Sequence, residues 1–131
     1  MRILSAVLIS VILAACEESD ITYTPEKIPY SRSAFDAGRV EAQADLQAGR
    51  LVILDYGTPR KGQHEFEALF RERYEVEVRR VANDAVNPTI NGRALGYNDV
   101  SKPEIKRRFG NDVLEGLEIE AAQTWDEDNS E

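Results

Sequence analysis

His64 is the only histidine in the chain. It stands beside Glu65 and Glu67, just beyond a turn that Asp55 and Tyr56 open. An imidazole among carboxylates can pass protons near neutral pH. In that role His64 would carry the proton, and Asp55 would orient it or act as base. No nucleophile accompanies them, because no serine occupies a strand-to-helix elbow and Cys16 is the sole cysteine. One imidazole with helix carboxylates is also a poor zinc site, since such sites need three or four converging ligands. The rim from Asp55 to His64 therefore reads first as a binding surface and, as an alternative, as the site of a hydrolase. No catalytic residue, metal or cofactor is assigned.

Gly57 and Gly62 have the glycine spacing of a phosphate-binding loop between a strand and a helix. The chemistry fails at the following positions. Gln63 and His64 stand where Lys and Ser or Thr are required, and Pro59 has removed a backbone amide. What remains is a solvated turn, in which Arg60 and Lys61 precede a helix N-terminus that could attract an anion. Asp126, Glu127, Asp128, Asn129 and Glu131 lack the bending glycine of a calcium loop. Residues 124–131 read instead as an acidic, disordered tail, with Trp125 able to dock on the domain or on another protein. Gly96, Tyr97, Asn98 and Asp99 read as a bend between two helices, or as a recognition surface.

These groups need elements to hold them. Ser33 is placed to cap a helix whose stripe is Phe35, Gly38, Ala42 and Leu46, with Gly49 as the left-handed residue that ends it. Leu51 to Leu54 is an unbroken apolar run, as in a strand covered on both faces. Phe66, Leu69, Phe70 and Arg73 line a second helix. Tyr74, Val76 and Val78 then alternate with Glu75, Glu77 and Arg79, which predicts a strand with one wet face. Strand, helix and strand in that order imply a right-handed crossover and parallel pairing.

Further on, Asn87 precedes Pro88, a capping residue before a first-turn proline, and Ile90, Ala94 and Tyr97 follow at helical spacing. Ser101 and Glu104 make a capping box around Pro103, with Ile105 and Phe109 as the buried pair and Gly110 as the stop. Asn111 caps a last helix that turns Leu114, Leu117 and Ala121 inward. The fold class expected is α/β: a small, helix-rich single domain over residues 33–123. Its core is a two-stranded parallel βαβ unit, to which Ile21 to Thr24 could add a third strand, and its C-terminal third is helical.

Ahead of this domain, Ile3 to Ala15 is aliphatic apart from Ser5 and Ser10, and Leu13, Ala14, Ala15 and Cys16 place two small residues directly before the cysteine. As a helix the run would reach roughly 20 Å at about 1.5 Å per residue, short of the roughly 30 Å hydrocarbon core. Glu17, Glu18 and Asp20 follow at once, so the run reads as a removable export signal. The arrangement resembles the lipobox of bacterial lipoproteins. That resemblance implies cleavage after Ala15, a diacylglycerol on the Cys16 thiol, and further acyl chains such as palmitate. Residues 1–15 are then the signal peptide and 16–32 a tether. By the same resemblance, Glu17 in place of an aspartate mildly favours the outer membrane over the cell membrane. Each buried methylene contributes about 0.8 kcal/mol, so two acyl chains hold where one does not.

Composition agrees with an exported domain. The formal net charge is −8, and loss of the leader removes one Arg and no acid. Nucleic-acid binding is disfavoured, because it requires a positive surface. With Cys16 acylated no intramolecular disulfide remains. The resulting expectation is a lipid-anchored cell-envelope protein outside the cytoplasm that acts as a binding or interaction module. Its partners would be the membrane, through Cys16, and an envelope protein. A narrower version is an acidic inhibitor or immunity-type lipoprotein steered to a basic target by its charge.

Overall fold

The computed structural model describes residues 19–83 and 87–130. The segment read as a leader, the Leu13 to Cys16 motif and the expected lipidation site Cys16 lie outside the described residues. In chain order the elements are β1 (Ile21–Tyr23), β2 (Pro29–Ser31), α1 (Arg32–Gln47), β3 (Leu51–Tyr56), α2 (Gln63–Tyr74), β4 (Val76–Ala82), α3 (Pro88–Phe109) and α4 (Val113–Asp128). The result is a small, helix-rich α/β fold around a parallel pair.

Strands β3 and β4 run parallel, from Leu51 opposite Val76 to Tyr56 opposite Ala82, with an irregularity between Asp55 and Tyr56. Parallel strands need a crossover, and α2 supplies it. Alternation along β3 sends Leu51 and Ile53 into a cluster with Phe66, Phe70, Leu117 and Ala121. Val52 and Leu54 enter a second cluster with Ala42, Ala94 and Tyr97. Helices α2 and α4 therefore cover one face of the pair, and α1 with α3 covers the other. This is why the run from Leu51 to Leu54 has no polar member: all four side chains are buried.

Residues 21–31 are not a loose tether. Strands β1 and β2 form a separate antiparallel hairpin, so Ile21 to Thr24 does not extend the parallel pair. The hairpin is fastened to α3, where Asn91 Nδ2 donates to the Pro29 carbonyl at 3.0 Å. The cap of α1 is Ser31, not Ser33: its hydroxyl accepts from the Ala34 amide at 3.1 Å. Ser33 instead donates its amide to Asp20, 2.8 Å away. The side chain of Asp20 thus sits at a helix N-terminus, where the dipole favours an anion. Its hydrogen bonds from Ser31 and Ser33 hold its carboxyl below the usual range.

The expected break at Ser101 does not occur. Helix α3 is continuous through Pro103 to Phe109, so the capping box lies inside a helix. A mid-helix proline forfeits one backbone hydrogen bond. Continuity compensates by letting one rod place Ala94 and Tyr97 in one core cluster and Ile105 in the other. Asn87 does cap α3, accepting from the Thr89 and Ile90 amides. The cap residue of α4 is Asp112 rather than Asn111. Helix α4 continues to Asp128, so most of the segment expected to be a disordered tail is helical. None of the helices among the described residues is long and apolar enough to cross a membrane.

Candidate functional site

The carboxyl end of β3 delivers Asp55 and Tyr56 to a cleft of about 370 Å³, also lined by Phe66, Lys102, Leu114 and Glu118. This is the position where open α/β sheets commonly receive ligands, and the volume falls within the roughly 300–1,000 Å³ of small-molecule sites.

One carboxylate oxygen of Asp55 is held there by two donors. This oxygen, Oδ2, accepts from Arg80 Nη1 at 2.9 Å and from Gln63 Nε2 at 2.8 Å. Arg80 reaches the site because β4 lies parallel to β3, with Arg80 opposite Asp55. Its other amino group donates to the Gly57 carbonyl and ties down the start of the turn. Gln63, buried in the first turn of α2, also donates to Glu67 Oε1 at 3.0 Å.

His64 is not part of this arrangement. It is exposed, does not line the cleft, and makes no hydrogen bond or ion pair among the described residues. Helical geometry explains the separation. Gln63 and Glu67 are four residues apart and share a face, while His64 is turned about 100° away from Gln63. The proton-transfer pair of the hydrolase reading is therefore not assembled, and Glu65 does not join Asp55 either.

The turn from Gly57 to Gly62 has a structural explanation. Both glycines have positive φ, 93° and 75°. A Cβ on Gly62 would stand 2.7 Å from the Ala121 carbonyl oxygen of α4. The glycines thus permit a left-handed backbone and a close approach to α4, with no phosphate required. The two basic residues of the turn are occupied by the same helix. Arg60 pairs with Glu118 at 2.8 Å, and Lys61 pairs with Asp126 and lies 4.8 Å over the Trp125 ring. Trp125 consequently docks on its own domain. Among the described residues no group of three His, Cys, Asp or Glu side chains could hold a metal ion.

Lys102 was invisible as a site residue in the sequence. The capping-box reading placed it in the first turn of a new helix, and only the continuity of α3 brings it to the cleft. It also lines a neighbouring cleft of about 410 Å³ with Tyr23, Tyr30, Phe35 and Tyr56. Among the described residues it has no hydrogen bond or ion pair. Burial lowers its pKa below the ordinary 10.5, a loss that Glu118 and Asp55 partly offset.

An unfolded Lys102 therefore binds its proton more tightly than the folded one does. Between the lowered folded value and 10.5, stability rises with pH, and at neutral pH the ammonium costs stability. Lys102→Met is expected to raise unfolding stability at pH 7 by about 0.5–1 kcal/mol, near the lower end of typical stabilising changes because the group is only half-buried. The gain should shrink toward pH 10.5. Urea unfolding at pH 7 and in that alkaline window checks it, and a lower midpoint at pH 7 would contradict the argument.

No known protein family, curated protein or solved structure matches this chain. Function must then be argued from the chemistry of the cleft itself.

Proposed function

We propose that this protein is a lipid-anchored binding module of the bacterial cell envelope, with its ligand site in the cleft at the carboxyl end of β3. The observation that carries binding over hydrolysis is the state of Asp55. Its carboxylate is already paired with Arg80 and Gln63, and the only histidine is exposed outside the cleft. A group so engaged positions walls and charges, and the cleft sets no imidazole beside it.

The anchor rests on Leu13 to Cys16 and on the apolar run before it. Folding of the hairpin from Ile21 onward leaves only residues 17–20 between Cys16 and β1. At no more than about 3.6 Å per residue, those residues and the bonds flanking them span roughly 15–20 Å. The domain would stand close to the bilayer surface, and a ligand would be met there.

The test is mass spectrometry of the full-length product purified from envelopes. The expected species has lost residues 1–15 and carries a diacylglyceryl group on Cys16, and Cys16→Ser abolishes both changes. A free thiol, or an intact leader on the wild-type product, overturns the anchor.

A further inference from the structure

We infer that the cleft takes a small amphipathic carboxylic acid, with the apolar body against Phe66, Ile53 and Leu114 and the carboxylate at the ammonium of Lys102. The inference rests on reading the cleft as a binding site, and it assigns the chemistry of the ligand.

Charge accounting carries it. Four charged side chains line the cleft: Asp55, Arg60, Lys102 and Glu118. Asp55 is neutralised by Arg80 at 2.9 Å, and Arg60 and Glu118 neutralise each other at 2.8 Å. Lys102 is left over, a half-buried cation with no hydrogen bond or ion pair among the described residues. Lys102 is thus the one charged group lining the cleft that has no ion-pair partner among the described residues, beside the apolar walls of Ile53, Phe66, Val78 and Leu114.

Burying an ammonium without a partner is unfavourable, and an arriving anion removes that penalty. A neutral ligand of the same shape gains only the apolar contact. A cationic one must overcome like-charge repulsion in a partly desolvated site. One unmatched positive charge selects one negative charge. The apolar walls select a body that water does not hold, as is usual for pockets with few polar anchors.

Octanoate, octanol and octylammonium share one chain and differ in head-group charge, which makes them suitable probes. The full-length purified chain, isotopically labelled, would be titrated with each below its micelle-forming concentration and followed by NMR. The expected result is saturable binding of octanoate with shifts at the Ile53, Leu114 and Phe66 signals. Octanol should bind at least tenfold more weakly and octylammonium not measurably. Lys102→Met should weaken octanoate at least tenfold and abolish its advantage over octanol.

Equal binding of octanoate and octanol, or undiminished octanoate binding by Lys102→Met, overturns the carboxylate assignment while the cleft remains a binding site. Absence of shifts in the cleft with all three probes overturns the binding reading itself. The three-probe comparison uses the unaltered chain, so the inference stays testable even if the variant fails to fold.

Discussion

Gly96→Ala is expected to destabilise the chain by about 3–5 kcal/mol, enough to leave much of it unfolded if its total stability lies at the low end of the usual 5–15 kcal/mol. A Cβ at this position would overlap the Phe35 carbonyl oxygen of α1 and stand 2.6 Å from its carbon. Nothing in that contact can rotate aside, because every obstructing atom is backbone. Gly38 and Gly92 make the same kind of approach, to the Arg93 and Ser31 carbonyl oxygens. Helices α1 and α3 can separate only by opening the cluster of Ala42, Val52, Leu54, Ala94 and Tyr97.

Overpacking a core with one methyl ordinarily costs about 1–3 kcal/mol. Here loss of cluster packing is added to it. Gly116→Ala is the internal control: nothing lies within 4 Å of the added methyl, and α4 gains the helix preference of alanine. That change should stabilise by about 0.5–1 kcal/mol. Urea unfolding followed by circular dichroism measures both, and two similar midpoints would refute the close-approach argument.

Some of the fold was legible because local and tertiary preferences agree. The run from Leu51 to Leu54 reports burial on both faces, and Asn87 with Pro88 reports a helix start at the observed place. The parallel pairing follows from strand, helix and strand in succession. Where the reading failed, local chemistry was overruled by packing. Ser101, Pro103 and Glu104 carry a complete start signal, yet α3 passes through them because both core clusters need the same rod. The residues from Ile21 to Ser31 are too short and irregular to show a period, and they fold through pairing and through the contact with Asn91.

The candidate site was half legible. Asp55 and Tyr56 could be placed at the end of a strand, and the rule for ligands beyond such ends pointed to the region where the cleft lies. The partners of Asp55 could not be found there. Arg80 comes from a strand whose register is a tertiary property, and Gln63 looked like a failed phosphate-loop lysine. His64 is a candidate by residue type alone, as the sole imidazole, and its position next to Gln63 on α2 turns it from the face that Gln63 and Glu67 share. Lys102 had no local signal whatever.

Asn98→Leu is expected to cost about 2–4 kcal/mol and to loosen the strand that carries the site. The Asn98 carboxamide accepts from the Leu54 amide at 2.9 Å and donates to the Leu54 carbonyl at 2.6 Å. Both main-chain groups of Leu54 lie on the edge of β3 that β4 leaves free, so one side chain of α3 substitutes for a third strand. Leu54 is buried, and without Asn98 its amide and carbonyl would lose partners at about 1–3 kcal/mol each. Leucine conserves most of the bulk, so the loss reports the hydrogen bonds more than a cavity.

Asn98→Asp separates the two bonds: its carboxylate still accepts from the amide but meets the carbonyl oxygen without a donor. It should therefore also destabilise. Amide exchange at Leu54 should accelerate in Asn98→Leu more than the loss of global stability requires, because the edge opens locally. An exposed edge also invites pairing between chains, so concentration-dependent association is expected of Asn98→Leu. Asn98 lines the second cleft beside Tyr56 and Lys102, so the same two hydrogen bonds that close the edge fix one side of that cleft. Unchanged exchange at Leu54 in this variant would show that the edge is held by other contacts, and that the carboxamide does not position the site.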